Sequence, residues 1–395
     1  MKKYFLTALI VLMQPADSFA KFIDDSLIRV RLLSEQTHFS FEGIGVAFNG
    51  KKEFFQAIAI PQISRWTVQL QNISGNTYWQ VSQVYPVEKN LIFKSNEPLV
   101  VLGQNLSTDR NFWPGIVSLV KSEKGKFNLI SRLPLKNYLA GVLNGEMPKD
   151  WPLSTLKAQA IAARSYAQSI MNERKKFSYD VETDHRDQVY IPNVTPDLGA
   201  PLTNQQRAIF ETRNIILVEK NRLLKAYFHS DCGGESASAK SVWGVSRPSL
   251  VLPGKCSSEK KSEWVYKIEE DQLLKKLKSV LPRLNGSIFS AFQWIYSPKS
   301  ERLSEVKIAF AQGKPAQLSS QDFRKALGYN NLKSTLFNVQ KQDHFYIFNG
   351  RGFGHGVGLC QWGARSMGKA GSSFQNILAH YYPGAELSNE ASIMR

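Results

Sequence analysis

The chain is poor in cysteine, in histidine and, relative to base, in acid. Three cysteines in 395 residues exclude a disulfide-dense scaffold and an array of zinc fingers. The sequence contains no His-Glu-x-x-His metal motif and no Gly-x-Ser-x-Gly nucleophile elbow. Beyond the first twenty residues no apolar run is long enough to cross a bilayer, and no repeat of fixed period is visible. Asp+Glu total 33 against 50 Lys+Arg, a formal net charge of +17. Hydrophobic residues at 43% and charged residues at 21% exclude wholesale disorder, and the length predicts two or three domains or subdomains.

Residues 1–20 read as a signal peptide. Lys2 and Lys3 form a basic start, Phe5 to Met13 an apolar stretch, and Ser18-Phe19-Ala20 a small-x-small cleavage site. Cleavage would remove Lys2, Lys3 and Asp17 and leave a charge of +16. The protein is therefore expected outside the cytoplasm, in the periplasm or cell wall, with no stable membrane insertion after cleavage. Strong positive charge ordinarily suggests nucleic acid. An exported protein meets wall carboxylates and membrane head groups instead, so nucleic acid is not an expected partner.

Residues 21–125 read as a β-rich N-terminal part, with turns at Asn49-Gly50 and Ser74-Gly75-Asn76. A helix is predicted from Pro152 to about Glu173, with Leu156, Ala160, Ala163, Ala167 and Ile170 as its core stripe. Lys157 and Arg164 lie seven apart on it and are expected to project in nearly the same direction. A short helix over 204–213 precedes paired strands at 215–218 and 223–228. The lysine-rich stretch at about 257–300 reads as a peripheral helical insertion. A last helix starts near Ser372 with the capping box Ser372-x-x-Gln375. The expected fold class is α+β: a mixed core over 126–395 with the β-rich part packed against it.

Three stretches carry candidate chemistry. In Gly145-Glu146-Met147-Pro148, Glu146 sits among Leu143, Met147 and Trp151, and partial desolvation there would favour the protonated form a general acid needs. In His229-Ser230-Asp231-Cys232-Gly233-Gly234 the paired glycines permit close approach of another chain. Cys232 and Cys256 are expected to pair as a disulfide, leaving His229 hydrogen-bonded in the core and Cys360 unpaired. Zinc is the open alternative, with His229 and Cys232 as ligands, Cys256 as a third and His185 as a fourth. The third stretch, Gly350 to Gly358, has glycine at every second position. An extended conformation would leave one bare face and put Arg351, Phe353, His355, Val357 and Leu359 on the other. Gln159, Tyr190, Trp243 and Trp362 are candidate sugar-stacking or hydrogen-bonding groups.

Taken in order, these stretches resemble the stage II sporulation protein D (SpoIID) family and its amidase-enhancer relatives. The matching text includes Leu139 to Pro148, Trp151-Pro152, Leu156 to Ala167, Asp187-Gln188-Val189-Tyr190, and Ala226 to Gly234. It continues with Val242-Trp243-Gly244, Phe323 to Gly328, Leu332 to Thr335, Gly352 to Gly358, Gln361 to Ala364 and Tyr381-Tyr382-Pro383-Gly384. The chain departs from the common pattern at Asp231, Asn214 and Pro192; asparagine tolerates positive φ, so Asn214 is a mild change.

The resemblance implies a peptidoglycan lytic transglycosylase that cleaves MurNAc–GlcNAc linkages of peptide-stripped strands to 1,6-anhydro ends. Glu146 matches the catalytic glutamate, and Lys157 and Arg164 match basic substrate-binding residues. Gln159, Tyr190, Ser230, Gly233, Gly234, His355 and Gln361 complete the expected glycan contacts. Some members bind zinc near the His-Ser-x-Cys-Gly-Gly stretch and others do not; the transglycosylase chemistry itself requires no cofactor. The alternative is a non-catalytic glycan-binding activator of a cell-wall amidase, which needs the groove but not an ionisable Glu146.

Overall fold

The computed structural model describes residues 27–192, 201–246, 256 and 262–390, less 51–52, 55–62, 75, 86–87, 95–97, 109–110, 114, 123–124, 245, 285–287 and 299. The signal-peptide reading of 1–20 lies outside the described residues. The chain forms two compact units, Met1–Gly145 with Ile170–Ala200, and Glu146–Ser169 with Pro201–Arg395. Helices and several sheets make the fold α+β. No helix among the described residues is long and apolar enough to cross a membrane.

The first unit is built on an eleven-stranded sheet. The strand Leu27–Gln36 lies antiparallel to Phe127–Pro134 and parallel to the short strand Val181–Glu182. Ile28 and Val30 point inward with no exposed surface, as period-two alternation requires. Arg29 between them turns outward and clamps the Asp180 carboxylate while donating to the carbonyls of Phe177 and Arg174.

The sheet leads directly into helix α1, Leu135–Glu146, whose Leu135, Tyr138, Leu139 and Val142 are buried at helical spacing. On another face Gly141 and Gly145 leave a flat track for the segment 188–191. A Cβ on Gly141 would lie 2.3 Å from the Tyr190 ring, and one on Gly145 would lie 2.7 Å from the Val189 carbonyl oxygen. Tyr138 donates to Gln188 Oε1 at 3.0 Å and stacks on Tyr190 with ring centroids 5.2 Å apart. The last residue of α1 is Glu146.

Helix α2, Leu153–Glu173, buries Leu156, Ala160, Ala163, Ala167 and Ile170, the predicted stripe. Pro152 sits just ahead of it, and its carbonyl accepts from the Leu156 N–H. Helix α3, Asn204–Glu211, has a capping box at Thr203 and Gln206. The strand Ile215–Glu219 pairs with Arg222–Leu223 and with Glu386–Asn389, after a turn in which Asn214 takes a φ of +62°. Phe228–His229 runs parallel to Leu359–Cys360, with Phe228 opposite Leu359 and His229 opposite Cys360. Helix α4, Ala239–Trp243, follows.

The region expected to be a helical insertion carries more strand than helix among the described residues. Its strands are Glu263–Glu269 and Phe289–Tyr296, and helix α5, Glu270–Leu277, is its only α-helix among the described residues. Trp264 and Ile268 are buried on one face of the first strand with half-buried Tyr266 between them, a period-two signal obscured by the surrounding lysines. With the strands Leu303–Phe310 and Phe345–Arg351 and helix α6, Ser320–Leu327, it encloses a separate aromatic core around Trp264, Phe323, Phe337 and Phe348.

Past Gly350 and Arg351, which end the strand Phe345–Arg351, the glycine run is not a continuous strand either. Gly352, Gly354, Gly356 and Gly358 all have positive φ, from +70° to +117°. These four glycines therefore supply backbone conformations that L side chains rarely adopt, and the run does not continue as one strand. Two helices close the chain, α7 at Gln361–Lys369 and α8 at Phe374–Tyr381. The cap of α8 is Ser373, which accepts from Asn376 N, one residue later than expected.

Candidate functional site

Glu146 is half-buried, while Met147 and Trp151 beside it in sequence are buried. Its Oε2 accepts a hydrogen bond from Gln361 Nε2 at 2.9 Å. Gln361 is the first residue of α7, whose cap is the Cys360 sulfur accepting from Gly363 N. The α7 backbone is fixed from two more directions. Trp362 N donates to Ser230 O at 3.1 Å, and Thr155 on α2 donates to Ala364 O at 3.0 Å. Trp362 packs edge-on against Trp151, and the Arg365 guanidinium lies over both rings. The carboxylate and its amide partner are thus carried by helix ends set in an aromatic and cationic surround. Asp150, the neighbouring acid, is exposed on a turn.

The two cations expected side by side on α2 have separate partners. Lys157 Nζ pairs with Glu211 Oε2 at 2.5 Å, at the end of α3. Arg164 is buried and donates through Nη1 to Ile215 O at 2.9 Å, tying α2 to the adjoining strand. Burial lowers its guanidinium to about 10, opposed by the charge of Glu390. Arg164 is therefore placed as an anchor within the core rather than as a group free to reach an anionic ligand. Gln159 is fully buried, and neither side-chain polar atom has a partner among the described residues.

Tyr190 is buried against α1, and its hydroxyl has no partner among the described residues. Ser230 contributes its carbonyl to Trp362. Gly233, at a φ of +71°, admits the backbone of Arg351 and Gly352, since a Cβ there would lie 2.9 Å from both. Gly234 has a φ of +96° and open space where a Cβ would sit. His355 stands among the rings of Tyr227, His229 and Trp243, at centroid distances of 5.1–5.9 Å. Its Nδ1 accepts from Val357 N, and burial, then Arg324 and Arg302, push its pKa down to about 3. It is a neutral imidazole in the folded protein.

The three cysteines differ from expectation. All are free thiols, and Cys232 and Cys256 are not joined. Cys360, left over in the sequence reading, joins them: the His229–Cys360 strand pairing puts those two side by side, and Cys232 N donates to Cys360 Sγ at 3.3 Å. Side-chain hydrogen bonds connect Cys256 to both Cys232 and Cys360, holding the Cys256 thiol low and the other two high. His185, the fourth ligand expected for zinc, is not part of this cluster. Nothing in the local spacing of three cysteines pointed to Cys360, because only the parallel pairing of distant strands brings it in.

A family profile described as stage II sporulation protein matches residues 123–218, and a second, described only as a domain of unknown function, matches 255–358. An uncharacterised protein of Brachyspira hyodysenteriae is 28% identical over 94% of this chain and 95% of its own length. The amidase enhancer of Bacillus subtilis is 28% identical over 64% of this chain, and the match spans 40% of that relative's length. The stage II sporulation protein D of Bacillus subtilis is 30% identical over 66% of this chain and 76% of its own. On that likeness, whose family profile covers the segment that places Glu146, the chain belongs to the stage II sporulation protein D family.

Proposed function

We propose that the protein is a cell-wall lytic transglycosylase acting on peptidoglycan glycan strands, with Glu146 as its single acid–base. The observation that carries this reading is the 2.9 Å hydrogen bond from the Gln361 amide to Glu146 Oε2. That bond orients the carboxyl group and gives its ionised form a hydrogen-bond donor. Hydrolytic glycosidases ordinarily need two carboxylates, one as acid and one as base or nucleophile. A transglycosylase manages with one, because the substrate's own hydroxyl replaces water.

Protonated Glu146 gives its proton to the oxygen between MurNAc and GlcNAc as the glycosidic bond breaks. The resulting carboxylate then takes the proton of the muramyl C6 hydroxyl while that oxygen bonds to the anomeric carbon. The products are a 1,6-anhydro-muramyl end and a free GlcNAc 4-hydroxyl, and Glu146 ends protonated as it began. Gln361 stabilises the carboxylate state of this cycle. The net charge of +17 favours a polymer bearing lactyl carboxylates. Lys157, with its side chain still partly exposed beside Glu211, is the cation on α2 able to meet them. An exported location at the wall follows from this substrate.

The test is Glu146→Gln with denuded glycan strands and mass spectrometry of the products. Loss of 1,6-anhydro-muramyl saccharides with retention of strand binding is the expected result, and undiminished formation would end the proposal. The name of the amidase-enhancer relative favours one second reading, a glycan-binding activator of a wall amidase. On that reading pure protein generates no anhydro ends, and Glu146→Gln leaves amidase stimulation intact.

A further inference from the structure

We propose that Arg365, held over the rings of Trp151 and Trp362 one turn along α7 from Gln361, binds the free lactyl carboxylate of the muramyl unit at the Glu146 site. It would thereby select strands that have lost their stem peptides. The proposal rests on the glycan reading of Glu146 and names the residue that recognises the anionic group of that substrate.

The placement follows from helix geometry. Gln361 and Arg365 are four residues apart on α7, so they lie on one face with a rise of about 6 Å between them. Gln361 Nε2 is hydrogen-bonded to Glu146 Oε2 at 2.9 Å, so Arg365 stands one turn from the acid's partner. The helix is held close against the start of α2. Thr155 donates to Ala364 O at 3.0 Å, and a Cβ on Gly368 would lie 2.2 Å from Thr155 Oγ1.

The side chain is positioned as well as its backbone. The guanidinium carbon lies 5.6 Å from the Trp151 ring centroid and 5.1 Å from that of Trp362, and the two indoles meet edge-on at 5.1 Å. Trp151 is buried, whereas Trp362 and Arg365 are half-buried. Attraction between the cation and the two ring faces restrains a flexible side chain before any ligand arrives. A guanidinium can lie over an aromatic surface and still present N–H donors in a planar fork, which matches the two oxygens of a carboxylate. The other cations near the site differ in this respect. Arg164 is buried on Ile215 O, and Lys157, beside Glu211, carries a compact ammonium without that fork.

The ligand's chemistry supplies the selectivity. In the proposed reaction one muramyl ring bears both the reacting anomeric carbon and the 3-O-lactyl group, so the lactyl group is bound close to the acid. On a stripped strand that group ends in a carboxylate. On a peptide-bearing strand the same carbon is an amide, which has no charge and a single acceptor oxygen.

The test uses muramyl oligosaccharides with the lactyl carboxyl either free or converted to a primary amide. Binding of each to the full-length Glu146→Gln protein, which leaves them uncut, is measured by calorimetry. The carboxylate form is expected to bind at least about tenfold more tightly. Adding Arg365→Gln should abolish that preference by weakening binding of the carboxylate form alone, and Arg365→Lys should retain part of it. Should Arg365→Gln fail to fold, the lysine variant decides, and an undiminished preference in it overturns the proposal. Equal binding of the two forms before Arg365 is changed also overturns it, as does a loss of affinity for both alike or a preference that survives Arg365→Gln. Those outcomes leave the Glu146 reading standing, whereas failure to bind either form removes both.

Discussion

Gln361 Nε2 stands 2.9 Å from Glu146 Oε2, joining the first residue of one helix to the last residue of another. A hydrogen bond to a charged group contributes about 1.5–3 kcal/mol. Gln361→Leu is therefore expected to lower turnover of denuded glycan by roughly 10- to 100-fold, because the carboxylate state loses its donor. Circular dichroism and thermal unfolding should show the fold retained. A variant with wild-type turnover would place Gln361 outside the chemistry.

Arg164 offers a test of anchor against ligand. Its guanidinium is buried on the Ile215 carbonyl, so Arg164→Met should lower stability by about 1–3 kcal/mol by stranding that acceptor. The KM for glycan strands should stay near wild type in whatever fraction folds. A large rise in KM with an unchanged melting temperature would restore Arg164 as a substrate contact.

The glycine track on α1 predicts a size limit. Gly141→Ala would put a methyl 2.3 Å from the Tyr190 ring, and overpacking of this kind costs about 1–3 kcal/mol. Chemical denaturation should show the midpoint falling by a matching amount, with a similar loss for Gly145→Ala against the Val189 backbone. No loss at either site would mean that the segment 188–191 is free to move off the helix.

Tyr190 sets a pH dependence. Burial raises its phenol above the ordinary 10.0. Above that value the unfolded chain releases this proton while the folded chain keeps it, so its contribution to stability, complete at neutral pH, is lost as pH rises past 10. Since the hydroxyl has no partner among the described residues, Tyr190→Phe should be as stable as wild type at pH 7 or slightly more so. It should also lose less stability between pH 9 and 11, by comparison of unfolding curves across about that range.

Much of this architecture was legible in the residues. The α2 stripe and the sequence α3–turn–strand follow from local periodicity and from Gly, Pro and Asn punctuation. What was not legible depends on long-range pairing. Seven-residue spacing placed Lys157 and Arg164 together, but Glu211 and the Ile215 carbonyl draw them to different partners. Alternation is a strand signal, yet glycine is also the residue that takes positive φ without a Cβ clash. The insertion looked helical because lysines decorate strands whose buried aromatics fall on alternate positions. Cys360 could not be joined to His229 until the strands that carry them were paired.

That pairing also makes the chain between His229 and Leu359 an excursion whose two ends enter and leave side by side. The entropy of closing such a detour grows only with the logarithm of its length, about 0.6 kcal/mol per doubling. Evolution can therefore enlarge, shrink or exchange the aromatic-cored appendage at little thermodynamic penalty, provided the two short strands still meet. The same arrangement delays assembly: Gln361 reaches Glu146 only after the whole excursion has been synthesised and its base has closed.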